Sequence, residues 1–259
     1  MATVYGPVAS LTAAEFKRVT EVTYLGQVHG TLAALRHMGR RDQGTIVQVG
    51  SALSHRAIPL QSAYCAAKFA VRGFTDALRC ELLHEASRIR LTMVQLPAVD
   101  TPQFDWARSH LPRRLQPVRP IHDPHDVAEE IVRAALAAPR ELWVGAPTIK
   151  AILGTTAAPS VMDRLMARRA WPGQMTDEPA QPRPDNLFEP PPGDPGTAGR
   201  FGARSRGAIT AVSETTARAA LAAAALGAAA GIAALAFGLG RSRASADRRL
   251  PARPARRIA

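Results

Sequence analysis

Cysteine, tyrosine and lysine are scarce in this chain, with two Cys, three Tyr and three Lys among 259 residues and aromatic residues at only 5%. The two thiols, Cys65 and Cys80, fall in one predicted helix, where a fifteen-residue separation puts them roughly 22 Å apart, far beyond disulfide reach within that helix. Reduced thiols fit a cytoplasmic domain. The seven His show no metal-ligand spacing, and His122 and His125, which flank a predicted helix start, read as solvated. A basic-then-apolar N-terminal stretch ending in a small-residue cleavage site is also missing, so nothing indicates export.

Hydrophobic residues make up 46% of the chain, ordinary for a globular protein with a sizeable core. The formal charge of +12 resembles a nucleic-acid signal until it is located. Residues 200–259 carry eleven Arg against Glu214 and Asp247, a net +9 that leaves +3 for the first 199 residues. Aromatic residues do not alternate with those arginines as a base-stacking platform requires, which argues against nucleic acid as a partner.

Thr12-x-x-Glu15 reads as a capping box opening a long helix through Met38, with Phe16, Val19, Leu25, Val28, Leu32 and Leu35 forming its apolar stripe. Thr45 to Val49 has the look of a buried strand opening into a loop at Gly50-Ser51, and a helix is predicted from about Ser62 to Glu85. Ile89 to Leu96 is a second strand closed by Pro97. Asp123-Pro124 supplies an N-cap with Pro at the first helical position, and Leu142 to Val144 makes a third strand. This alternation predicts a doubly wound α/β fold, with ligands at the carboxyl ends of parallel strands.

The order expected beyond that domain is an extension over 151–170 with a short helix at Met162–Ala170, then a disordered linker over 171–214. The linker assignment rests on eight Pro and four Gly between Trp171 and Arg200. A hydrophobic helix is expected over 215–240 and a basic tail over 241–259. Ala219 to Gly240 is a 22-residue uncharged run, long enough for a membrane span but of marginal hydrophobicity, with twelve Ala and four Gly. A C-terminal membrane helix is the favoured reading, and an Ala-rich helix packed on the domain is the alternative.

Tyr64 and Lys68 carry the chemistry. Spaced i and i+4, they lie on one helical face, where the ammonium is expected to stabilise a phenolate and draw the phenol pKa toward neutrality. That makes Tyr64 a candidate general acid and base. Ser51, thirteen residues earlier at a strand end, can present its hydroxyl to the same ligand.

Ser51, Tyr64-x-x-x-Lys68, the helix segment Gly73 to Arg79 and the loop Pro97-Ala98-Val99-Asp100-Thr101-Pro102 together resemble the short-chain dehydrogenase/reductase family over about residues 5–150. The resemblance implies an alcohol dehydrogenase or carbonyl reductase using NAD or NADP on a small carbonyl or alcohol substrate. Ser51 would polarise the carbonyl, Tyr64 would transfer its proton, and Lys68 would assist Tyr64 while bonding the nicotinamide ribose. Pro97, Val99 and Thr101 would meet the nicotinamide, Phe104 and Trp106 would wall the substrate pocket, and the helices over 11–38 and 62–85 would support a homo-oligomer. Four arginines near the pocket, Arg108, Arg113, Arg114 and Arg119, raise an anionic substrate as an alternative to a solvated basic loop.

Three departures accompany the likeness. Thr23 stands where the family carries a catalytic Asn, and Ala98 replaces a Gly, which is tolerable where φ is negative. The family's glycine-rich loop, which brings a helix N-terminus to the cofactor pyrophosphate, is missing, and Gly26-x-x-x-Gly30 falls inside a predicted helix. The expectation is an N-terminally truncated catalytic half, inactive by itself, with a cytoplasmic catalytic domain attached to a membrane by the C-terminal helix. A non-enzymatic remnant or interaction module is the alternative.

Overall fold

The computed structural model describes residues 1–191, 193–206 and 209–247. A two-residue strand, β1 (Val4–Tyr5), precedes helix α1 (Ala13–Val19). The capping box forms: Glu15 N donates to Thr12 Oγ1 at 3.3 Å, and Thr12 N donates to Glu15 Oε2 at 2.8 Å. A π-helical turn over Thr20–Leu25, unforeseen in the sequence, passes into α2 (Gly26–Gly39). β2 (Gly44–Val49) leads through a loop into α3 (Ser62–His84).

β3 (Ile89–Gln95), β4 (Ala98–Val99), the single turn α4 (Gln103–Trp106), β5 (Arg108–Ser109), β6 (Arg113–Leu115) and β7 (Ile121–His122) follow. Ala98 is extended, so the missing glycine costs nothing there. α5 (Pro124–Ala137) begins as predicted, with the Asp123 carboxylate accepting from His125 N at 2.8 Å. β8 (Glu141–Val144), α6 (Ala146–Ala157), α7 (Pro159–Gly173), β9 (Met175–Pro179), β10 (Ser205–Arg206), β11 (Ala211–Ser213) and α8 (Glu214–Asp247) complete the described elements.

The main sheet has the order β11-β8-β3-β2, in which β2, β3 and β8 run parallel and β11 lies antiparallel along β8. Period-two alternation sends Ile46 and Leu91 to one face, packed on Leu78 and Leu82 of α3 and Leu35 of α2. Val94 and Val144 point to the other, against Ala134 of α5. Each fully buried aliphatic side chain contributes roughly 1.5–3 kcal/mol, so both helical layers are held by the sheet they cover. This is the doubly wound α/β arrangement. Among the described residues, no strand pairs with the outer edge of β2.

Three expectations change. Met1–Glu214 form one compact unit, so the boundaries drawn at 150 and 170 fall inside it, and Thr215–Ala259 form a second. The Pro-rich stretch over 171–214 is irregular but packed: β9 pairs with β6, Leu187 is 0% exposed and Phe201 is 2% exposed. Isolated apolar residues in a Pro-rich segment give no periodic signal, yet Leu187 and Phe201 are buried. The run Ala219–Gly240 is helical within α8, but among the described residues no helix is long and apolar enough to cross a membrane. Alanine and glycine supply length without enough transfer energy, so the membrane reading loses its support. Most of the basic tail, residues 248–259, lies outside the described residues.

Phe201 tests the packed segment. Its ring meets Phe104 edge-on at 5.9 Å, and the Arg200 and Arg204 guanidinium groups lie over it at 4.7 and 4.9 Å. Phe201→Ala should destabilise the fold by about 3–5 kcal/mol in urea unfolding, whereas a disordered linker would leave the midpoint unchanged.

Candidate active site

The site begins where β2 ends. Gly50 N still donates to Val94 O at 2.8 Å, and a Cβ on Gly50 would collide with Gln95 Oε1 and Met93 Cε, so a larger residue would displace those side chains. Ser51 is extended, 8% exposed, and its N–H donates to Gln95 Oε1 at 2.9 Å. Its Oγ accepts from Leu53 N at 3.1 Å, which leaves the hydroxyl proton for another acceptor, and it is within hydrogen-bonding influence of the Tyr64 phenol.

Behind Ser51 lies a buried polar network that sequence reading missed. The Gln95 amide nitrogen meets His55 Nε2 at 3.2 Å and Glu141 Oε2 at 3.5 Å. Glu141 Oε2 also accepts from Trp143 Nε1 at 3.0 Å and contacts His55 Nε2 at 3.3 Å. Burial alone would raise the Glu141 pKa, but the bonds from His55 and Trp143 and the Arg72 charge outweigh it and hold it near 2. Glu141 and Trp143 are two apart on β8 and so share a face. No local motif marks them, because their partners are distant in sequence.

Tyr64 and Lys68 lie together on α3, 8% and 3% exposed, with the Lys68 Nζ 5.7 Å from the Tyr64 ring centroid. The expected pKa effect is overturned. Burial raises the Tyr64 pKa, Cys65 adds to the rise, and Ser51 opposes it. Lys68 donates to Val49 O at 2.7 Å, and burial lowers its own pKa to about 8. Desolvation favours the neutral form of each group.

A cavity of about 550 Å³ opens in front of these groups. Ser51, Tyr64 and Lys68 line it, as do Pro97, Val99 and Thr101 beyond β3. Phe104 and Trp106 of α4 form part of its wall, and Gln61, Gln116 and Asn186 join it without having been foreseen. Thr23 is not among the lining residues. It is 1% exposed in the π turn, and its hydroxyl donates to Ala2 O at 2.7 Å and accepts from Ala2 N at 3.0 Å. Among the described residues, no cluster of three or more His, Cys, Asp or Glu could hold a metal ion.

The residues present fit the nicotinamide end of a dinucleotide. The Lys68 ammonium has three N–H groups, and one is committed to Val49 O, which leaves donors for a ribose diol beside Tyr64. The chain offers no glycine-rich loop for the pyrophosphate, so the fit ends there.

Residues 2–111 match the family described as short chain dehydrogenase. The uncharacterized oxidoreductase YxnA of Bacillus subtilis is 31% identical over 186 residues, covering 71% of this chain and 52% of that protein. The 3-ketodihydrosphingosine reductase of Bos taurus is 29% identical over 134 residues, covering 51% of this chain and 40% of that one. The chain thus spans about half, or less, of the length of these curated relatives. A short-chain dehydrogenase from Streptomyces avermitilis shares the fold with a TM-score of 0.51 at 23% identity, over 66% of this chain and 67% of that one. One from Burkholderia cenocepacia J2315, solved in complex with NADP, does so with a TM-score of 0.51 at 24% identity, over 64% and 65%.

The buried carboxylate makes a pH prediction. Glu141 ionises near 2 when folded, against 4.5 ordinarily, so its stabilisation is present above about pH 4.5 and is lost as pH falls through 2. That stabilisation is about 3 kcal/mol at neutral pH. Glu141→Gln should therefore unfold at lower urea concentration at pH 7 and show a flatter stability profile between pH 5 and pH 2. Superimposable profiles for wild type and variant would count against the network.

Proposed function

Because this chain belongs to the short-chain dehydrogenase/reductase family, we propose that Ser51, Tyr64 and Lys68 are the catalytic centre of an NAD(P)-dependent oxidoreductase acting on a small carbonyl compound or alcohol. The observation that carries this reading is the convergence of two hydroxyls and a buried amine in one cavity at the carboxyl end of parallel strands. In the reductive direction a bound nicotinamide supplies hydride to the carbonyl carbon. Ser51 Oγ, its lone pair engaged by Leu53 N, donates its hydrogen bond to the carbonyl oxygen. Tyr64 gives its proton to that oxygen as negative charge develops. Lys68 holds the ribose and supports the phenolate that Tyr64 becomes.

Burial raises the Tyr64 pKa, so the phenol carries its proton at neutral pH before substrate binds. Pro97, Val99 and Thr101 would line the nicotinamide, while Phe104 and Trp106 would contact substrate. Thr23 would act through the main chain, since its hydroxyl proton is already committed. The free thiols of Cys65 and Cys80 suit the cytoplasm, where dinucleotides are supplied. Self-association through α2 and α3 is supported by the exposure of Leu32 and Phe69 on those helices.

A non-enzymatic reading is favoured by the outer edge of β2, with which no strand pairs among the described residues. Oxidation of the reduced dinucleotide in the presence of a neutral aryl ketone separates the two. Tyr64→Phe should lower the rate about a thousand-fold while cofactor affinity changes by no more than about three-fold. Equal rates for wild type and variant would leave the non-enzymatic reading standing. Nicotinamide mononucleotide and the full dinucleotide should bind this chain within about three-fold of each other, because the lining residues that fit the cofactor serve its nicotinamide and ribose. A dinucleotide preference above about a hundred-fold would reveal a phosphate cradle elsewhere.

A further inference from the structure

We propose that this site takes an uncharged, largely apolar carbonyl compound or alcohol whose far end packs against a strap formed by residues 182–188. The proposal rests on the oxidoreductase reading for the carbonyl or alcohol and adds the substrate's character and the wall that selects it.

The character of the lining argues for an apolar ligand. Among the described lining residues, Lys68 and Arg119 are the only ones with charged side chains, and Arg119 is exposed at the mouth. Three other local arginines are paired with carboxylates. Arg108 pairs with Asp185 at 2.8 Å and Glu15 at 3.6 Å, and Arg113 pairs with Asp177 at 3.3 Å. Arg114 pairs with Glu178 at 2.7 Å and Asp105 at 3.5 Å. Inside, Phe104, Trp106, Ile58, Val118 and Met166 present apolar surface. An apolar ligand buries its surface against these side chains, whereas a carboxylate would exchange its hydration for Lys68, whose ammonium already donates to Val49 O.

The strap is laced to both sides of the cavity. Leu187, 0% exposed, packs among Val4, Val19, Tyr64 and Ala67, directly on the helix that carries the phenol. Arg18 Nε donates to Leu187 O at 2.9 Å, which ties the strap to α1. On the other side Asn186 N donates to Trp106 O at 2.9 Å, and Arg183 Nη2 donates to Phe104 O at 3.3 Å and Ala107 O at 3.1 Å. Phe188 lies under the Arg108 guanidinium at 4.9 Å. The strap thereby fixes the backbone of α4, and with it Phe104 and Trp106, while its own Asn186 completes the lining beside Trp106. Residues far along the chain from Tyr64 thus set the width and polarity of the pocket in front of it.

Binding to the full chain, followed by ligand-observed NMR titration without turnover, tests this with acetophenone as the neutral probe and phenylglyoxylate as the anionic one. Acetophenone should bind at least about ten-fold tighter. Asn186→Trp, which fills the wall, should weaken acetophenone binding by about ten-fold or more with an unchanged circular dichroism spectrum. Should that variant fold poorly, wild-type intermolecular NOEs from the acetophenone ring to Asn186 and Trp106 decide the matter. Phenylglyoxylate binding as tightly, no detectable binding of either probe, or bound acetophenone without those NOEs would each overturn the proposal. Absence of turnover with acetophenone binding intact would count against the oxidoreductase reading and leave this one standing.

Discussion

The parallel register of β2 on β3 is the constraint on which the site depends. Six consecutive pairs, from Gly44↔Ile89 to Val49↔Val94, bring both strands to their carboxyl ends side by side. Ser51 and Pro97 then leave the sheet at neighbouring points. A slip of β2 by one residue would turn Ile46 away from α2 and α3 and move Ser51 off the Gln95 amide. β8 enters through the same register: Met93 pairs with Glu141 and Gln95 with Trp143, which aligns the polar network behind the serine. A hydrophobic requirement on sheet pairing therefore fixes a polar geometry.

Burial then sets the proton chemistry. Tyr64 is pushed up and Lys68 down, each toward its uncharged form, by the same loss of water. Glu141 is the exception because it receives enough donors to stay ionised. One small region thus holds a phenol that keeps its proton and a carboxylate that has lost its own. Their intrinsic acidities already separate them, and burial of the phenol and hydrogen bonds to the carboxylate widen the gap.

The local signals were legible in the sequence. The Thr12 capping box, the Asp123-Pro124 helix start, the strands around Val47, Met93 and Trp143, and the Ser51, Tyr64 and Lys68 positions all rest on interactions or periodicities within a few residues, or on a spacing that survives in sequence. What escaped was non-local. Leu187 and Phe201 sit in a Pro-rich stretch whose composition suggests disorder, yet each is buried by partners 80 or more residues away in sequence, such as Phe104 and Tyr64. Gln95 and Glu141 carry no motif because their meaning lies across the sheet. The Ala219–Gly240 run misled in the opposite way, since length was read as a membrane signal while alanine supplies little of the required transfer energy.

Thr23 shows how a residue can matter to the site without touching it. Its only proton goes to Ala2 O and its oxygen accepts from Ala2 N, so the side chain has nothing left to relay. That pair of bonds anchors the segment entering β1, and Tyr5 of β1 faces Phe104 at 6.5 Å. Tyr5 O in turn accepts from His110 N at 2.8 Å, beyond the end of β5. The π turn therefore acts on the pocket through backbone placement: it holds β1, β1 supports α4, and α4 presents Phe104 and Trp106 to the cavity. A polar side chain buried this deeply positions its neighbours because its hydrogen-bonding capacity is spent on the main chain.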